Sequence, residues 1–221
     1  MKYFLLLVTL FQFQISSSQA IYTTKKDIAD AKEIIFFGYD FSHFKLADPK
    51  RLSFSNYKDP VGVKEEPASN IKVYVSAWIG YLLNRMDENY FARKLKTSKV
   101  VFDFDYTFQI VKRLNDSNLV SLTRSTIPKD SIQSIVNTYQ LKQKEGIGFT
   151  IIVECFDKSK ERSTAYFTFF DIATKKVLMS DYFGTNHADG IGLTNHWGYG
   201  FHYTVNSYID LEFKSNVKSK K

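Results

Sequence analysis

GIGFTIIVECFDKSKERSTAYFTFFDIATKKVLMSDYFG, residues 146–184, is the stretch on which the fold of this 221-residue chain turns. It holds three runs rich in β-branched and aromatic residues, "GIGFTIIVECF", "STAYFTFFDI" and "KVLMSDYFG", separated only by "DKSKER" and "ATKK". Connections this short join antiparallel neighbours, because a parallel return needs a crossover of a dozen residues or more. The stretch therefore predicts a three-stranded antiparallel meander. Read as a strand, its first run places Cys155 on the face of Phe149, Ile151 and Val153, as a buried, inert thiol. A nucleophilic role for Cys155 requires a neighbouring base and exposure. It is the only cysteine, so the chain has no internal disulfide and relies on its core.

Upstream, "VVFDFDYTFQIVKRL" (100–114) alternates strictly, with Phe102, Phe104, Tyr106, Phe108 and Ile110 on one side. Asp103, Asp105, Thr107 and Gln109 occupy the other. On such a strand Asp103 and Asp105 stand about 7 Å apart, two strand rises. That spacing suits a carboxylate pair for acid/base work or a calcium site. Thr107 and Gln109 continue the row, which equally describes a solvated sheet face. "TIPKDSIQSIVNTYQ" (126–140) predicts a short helix capped by Asp130, with Ile132, Ile135, Val136 and Tyr139 inward. "KEIIFFGYDFSHFKL" (32–46) is apolar on both faces and reads as a central strand, with His43 a sheet residue beside Tyr39, Phe41 and Lys45. A Pro- and Gly-punctuated loop, 47–67, follows that strand. Asn70 then caps a helix from Ile71 to Met86, striped by Tyr74, Trp78, Tyr81 and Leu82, and a shorter helical piece follows over Tyr90 to Leu95.

Downstream, a last helix begins at Thr194 or Asn195 and carries Trp197, Phe201, Val205 and Ile209 at every fourth position. Together these elements predict a single layered α+β domain over residues 21–213. Its mixed sheet has about five strands and ends in the meander, with about three helices packed on it. A doubly wound nucleotide-binding fold is not expected.

The ends of the chain address location. Lys2, the apolar run Tyr3 to Phe13, and the small residues Ser18 and Ala20 have the three-part form of a secretory signal peptide over residues 1–20. The apolar run is shorter than the roughly 20 residues that span a bilayer. The mature protein is thus expected in the periplasm or outside the cell, with no transmembrane segment. The whole chain carries a net charge of +7, but Lys214, Lys218, Lys220 and Lys221 all follow the last acidic residue, Glu212. The basic balance therefore belongs mostly to a flexible tail, 214–221, suited to weak contact with anionic surfaces. A nucleic-acid binder concentrates its charge on a folded face, so no nucleic-acid partner is expected.

"GTNHADGIGLTNHWGYGFH" (184–202) holds three of the four histidines. His187, Asp189 and His196 are candidate ligands across a loop. His196 and His202, six positions apart, fall on nearly opposite sides of a helix and lack the spacing of H-E-x-x-H. Gly190, Gly192 and Asn195 before a helix start offer backbone N–H groups to an anion. They also suit a plain turn in which glycine relieves backbone strain. No resident metal and no cofactor are expected, and no nucleophile motif such as G-x-S-x-G occurs.

Three segments carry a resemblance: "FFGYDFSHFKL" (36–46), residues 132–178, and "DGIGLTNHW" (189–197). Through them the chain resembles a family of uncharacterised exported proteins of Bacteroidetes-type bacteria, which implies an exported protein and no particular activity. "STAYFTFFDIATKKVLMSDYFG" (163–184) followed by a helix looks locally like the end of small periplasmic accessory domains. Those domains occur in outer-membrane lipoproteins and curli-type secretion channels, and the likeness bears on fold more than on function. The expected role is a non-enzymatic protein-binding or structural module whose partner is another envelope protein. The alternative is a small-ligand- or metal-binding protein, or a hydrolase, with its site in the loop 184–202.

Overall fold

The computed structural model describes Ile28, residues 30–48 and residues 70–214. The expected signal peptide, most of the loop before Asn70 and the tail beyond Lys214 lie outside the described residues. In chain order the elements are β1 (Ile34–Asp40), β2 (Lys45–Ala47), α1 (Ile71–Leu83), α2 (Glu88–Leu95), β3 (Val100–Phe102) and α3 (Asp105–Arg113). A 3-10 turn (Asp116–Asn118), β4 (Val120–Ser121) and α4 (Ser131–Asn137) follow. The chain then forms β5 (Ile147–Asp157), β6 (Arg162–Asp171), β7 (Val177–Thr185) and α5 (Leu193–Ser207), which runs on into a π-helical turn (Tyr208–Phe213).

All seven described strands form one sheet, and five of them, in the order β3-β1-β5-β2-β4, run parallel. This overturns the expected α+β domain of about five strands ending in an antiparallel meander. The class is α/β, with a parallel portion to which β6 and β7 are added antiparallel. The physical reason is the connectivity upstream of residue 146: helices intervene between β2, β3, β4 and β5, and such crossovers return the chain in the same direction. β1 and β2 lie end to end along one edge of the long strand β5, with β6 on its other edge. Beyond them, β3 pairs with β1 and β4 with β2. A tight turn at Phe41–Phe44 interrupts the run, with the Phe44 N–H donating to the Phe41 carbonyl.

Helices cover both faces. One face buries Ile34, Phe36, Tyr39, Phe149, Ile151 and Phe167 against α1, α2, α5 and the π turn. The opposite face buries Ile35, Phe37, Ile152 and Phe170 against α3 and α4. β1 is buried along its whole length, as the two-sided apolar pattern of a central strand requires. The stripe of Trp197, Phe201 and Val205 on α5, continued by Ile209 in the π turn, is wholly buried. Trp197 stacks on Phe156 at a centroid distance of 4.9 Å, and the Trp78 indole N–H of α1 donates to the Leu193 carbonyl at 3.1 Å. Each such aromatic buries a large apolar area, and the polar edge of Trp78 has its partner.

The expected long strand over 100–114 is also corrected. Only Val100–Phe102 is extended; Asp105–Arg113 is helical. The residues satisfy a helical period as well as an alternating one: Tyr106 and Ile110 are buried four apart, whereas Phe108, expected inward, is 50% exposed. The Asp103 carboxylate accepts the Asp105 N–H at 3.2 Å, and Lys112 and Arg113 lie at the carboxyl end of α3, favourable to the helix dipole. Helix α3 approaches β1 closely at Gly38, where φ is +85° and the register slips between Phe36 and Tyr39. A Cβ there would lie 2.5 Å from Thr107 Oγ1, and that hydroxyl donates to the Phe37 carbonyl at 2.7 Å. Glycine is needed at this position both for its φ and for its lack of a side chain.

Candidate functional site

The loop 184–202 disperses the residues that sequence reasoning grouped. His187 stacks on Tyr203 of α5 at 3.9 Å between centroids and lies 5.6 Å from Tyr199. The Asp189 carboxylate accepts the Gly190 N–H at 2.6 Å, and Gly190 has φ +102°, so this pair makes a local turn. Gly192 is the residue before the first turn of α5, and its carbonyl accepts the His196 N–H at 2.9 Å. The Asn195 amide donates to the Ile191 carbonyl at 3.1 Å. His196 points elsewhere: its Nε2 is 2.7 Å from the Glu161 carboxylate and 3.3 Å from the Lys158 ammonium, both in the turn between β5 and β6. The Ala188 N–H adds a bond to the Glu161 carbonyl at 3.3 Å. This cluster fastens the loop to the hairpin turn. Burial and then the Lys158 charge lower the His196 pKa, against the opposing pull of Glu161 and of its bond to the Gly190 backbone. Burial, Arg85 and Lys94 lower that of His202 as well. Among the described residues no group of three or more His, Cys, Asp or Glu is placed to hold a metal ion.

Asp103 and Asp105 do not share a strand face. They stand at the start of α3, where Phe104 is the cap residue, Asp103 just before it accepts the Asp105 N–H, and Asp105 pairs with Lys142. Cys155 also departs from its expected face. The register of β5 against β6 shifts between Val153 and Cys155, making Glu154 the extra residue of a β-bulge. Val153 and Phe156 join the larger core on one face, while Cys155, beyond the bulge, belongs to neither cluster of the core. Its thiol is buried, and burial pushes its pKa up to about 12. At neutral pH it is a thiol, not a thiolate.

Sequence reasoning missed what the bulge does to Glu154. This carboxylate is 1% exposed, yet it accepts from the Ile127 N–H (2.8 Å), the Thr164 hydroxyl (2.9 Å) and the Tyr182 hydroxyl (2.6 Å). Arg124 Nη2 lies 3.4 Å away, and the same guanidinium donates to the Tyr182 hydroxyl. Tyr166 completes the enclosure by donating to the Ile127 carbonyl at 2.7 Å. Burial, then the bond to Glu154, pushes the Tyr182 phenol up to about 12. The signal was present as a lone carboxylate inside the apolar run "GFTIIVECF". A buried charge of this kind is kept only with partners. The network anchors the 122–128 segment to β5 and holds β7 through Tyr182.

β7 is the outer strand on this side among the described residues: it pairs with β6, no other described strand pairs with it, and its Val177 N–H donates to the Gln133 side chain at 2.9 Å. It is half-buried from Val177 to Thr185, apart from the exposed Tyr182. Met179, Asp181 and Phe183 stand opposite Phe169, Phe167 and Ala165, on the face that carries the larger core. Met179 and Phe183 pack partly against that core, and the Tyr208 hydroxyl donates to Asp181 at 2.9 Å. Ser180 and Tyr182 occupy the other face, opposite Thr168 and Tyr166. Long edge strands commonly carry lysine, proline or inward-pointing charges that discourage pairing. Here the nine residues hold no lysine and no proline, and the one such device is Asp181, their only charged side chain, which faces the core side and is taken up by Tyr208.

The fold and this edge define a three-layer α/β sandwich closed by helices on both faces, with β7 paired to one described strand only. No protein-family model, no curated protein and no solved structure matches the chain. No described helix is long and apolar enough to cross a membrane.

Proposed function

We propose that this is an exported, non-enzymatic module of the cell envelope that binds a partner protein by adding an extended segment of it to β7. The observation that carries the reading is the nine-residue β7 edge, which among the described residues pairs on one side only and lacks lysine and proline. Strand addition to such an edge draws affinity from main-chain hydrogen bonds and specificity from alternate side chains. The face presented by Met179, Asp181 and Phe183 favours a segment with an apolar–basic–apolar pattern at every second residue. A second copy of this chain is a poorer fit, since two-fold pairing through the middle of β7 sets Asp181 against its own mate. The export and periplasmic or extracellular location rest on residues 1–20 and on the resemblance to exported Bacteroidetes-type proteins.

The test is capture from envelope extract with the mature chain and with Ser180→Lys, which places an edge lysine on the half-buried face of β7. Circular dichroism establishes that the variant is folded. The reading expects one stoichiometric partner held by the wild type and lost by folded Ser180→Lys, with a synthetic peptide of its extended segment competing. Equal capture by both proteins, or a partner that such a peptide fails to displace, overturns it.

A further inference from the structure

A cleft of about 540 Å³ opens where β1 gives way to β2. Its walls come from the turn after β1 (Ser42, His43), from Lys45 of β2, from Arg113 at the end of α3, and from α4 (Ser131, Ser134). It lies outside the carboxyl end of β1, where the outer neighbour of the β1–β2 run changes from β3 to β4. Crevices beyond the carboxyl ends of parallel strands, where the sheet order changes, are the common ligand sites of α/β folds. The volume is within the range of small-molecule sites.

We propose that this cleft binds a small ligand carrying an oxyanion on a hydroxylated body, of the sugar-phosphate class. Three basic side chains, His43, Lys45 and Arg113, line it, and none of its described lining residues is acidic. Arg113 is exposed and uses its Nε to donate to the Gln109 carbonyl at 3.2 Å, and among the described residues no hydrogen bond occupies its terminal guanidinium nitrogens, which suit an oxyanion. Lys45 is held in place by the Asn118 carbonyl. Two described carboxylates lie near without lining the cleft. Asp40 is buried and accepts from the Ser42 N–H (2.7 Å) and the Tyr139 hydroxyl (2.8 Å), and Asp116 accepts the Lys72 N–H at 2.6 Å. The rest of the wall is rich in hydroxyl and amide groups, Ser131, Ser134, Thr138 and Asn115 among them, which match the donors and acceptors of a polyol. The cleft is larger than a bare phosphate needs, and this separates the proposed ligand from a simple ion. The proposal is independent of the β7 edge, which lies on the opposite side of β5 in the sheet.

The experiment is calorimetric titration of the mature chain with glucose 6-phosphate, inorganic phosphate and glucose. The expected order is glucose 6-phosphate tighter than inorganic phosphate, and no binding of glucose. Arg113→Gln, an exposed change that leaves the core intact, weakens both phosphates by roughly tenfold or more. Ser134→Trp, which fills the exposed α4 wall, reduces glucose 6-phosphate to the level of inorganic phosphate. No heat with either phosphate, or unchanged affinity in folded Arg113→Gln, overturns the site. Unchanged glucose 6-phosphate binding in Ser134→Trp, or inorganic phosphate equalling it in the wild type, overturns the hydroxylated body.

Discussion

Replacing Glu154 by glutamine removes one charge and two lone pairs from a site that was built for acceptors alone. The carboxylate now meets an N–H at 2.8 Å on one oxygen and two hydroxyls and a guanidinium on the other. An amide keeps its oxygen on the Ile127 N–H, because turning its NH2 there would set donor against donor. The NH2 then faces Thr164 and Tyr182, whose hydroxyls rotate to accept, and Arg124, which cannot. Arg124 is 33% exposed and recovers its partner from water. The loss is therefore the difference between charge-assisted and neutral hydrogen bonds, about 2 kcal/mol. Glu154→Ala leaves the Ile127 N–H and both hydroxyls without their acceptor and costs about 4 kcal/mol. For a domain of this size, 2 kcal/mol corresponds to about 4–8 °C in Tm. Urea unfolding is followed by the fluorescence of the two tryptophans, Trp78 and Trp197, both fully buried. Equal losses for the glutamine and alanine variants, or a glutamine variant as stable as wild type, would refute the reading of Glu154 as a saturated acceptor.

Stability also responds to pH through His196 and His202, whose pKa values lie below the ordinary 6.5. The unfolded chain binds these protons more readily, so their contribution is complete above about pH 6.5 and declines as pH falls below it. Urea midpoints at pH 7.5 and 5.5 show the drop, and His196→Gln with His202→Gln flattens it; a profile unchanged by the double variant contradicts the assignment. Gly38→Ala brings a Cβ to 2.5 Å from Thr107 Oγ1 and 2.9 Å from Phe104 Cδ1 at φ +85°, and is expected to cost about 3 kcal/mol in the same unfolding assay. A loss under 1 kcal/mol would mean that α3 yields where the packing says it is held.

Two features of the candidate surfaces were hidden from sequence reading for different reasons. Asp103 and Asp105 sit in a segment that obeys both a two-residue and a 3.6-residue period over its first turns. Burial of Tyr106 and Ile110 against the α4 side of the sheet resolved the ambiguity in favour of a helix. The histidines of the loop 184–202 are close in sequence but recruited by different neighbours: Tyr203 takes His187, and Glu161, on a turn that precedes them by more than twenty residues, takes His196. Neither pairing leaves a local trace, since each depends on where another element arrives.

The sequence by itself determined the features that depend on one segment's own period. These are the central character of Ile34–Asp40, apolar on both faces, and the buried stripes of α1 and α5 through Trp78, Trp197 and Phe201. Only the tertiary structure decided the parallel order β3-β1-β5-β2-β4, the bulge that turns Glu154 into the hub of a network, the outer place of β7 among the described strands and the cleft beside Arg113. Periodicity reports which face of an element shuns water. Strand order and site geometry arise from contacts between segments far apart in the chain, where the competing pairings differ in packing and hydrogen bonding and not in any local pattern.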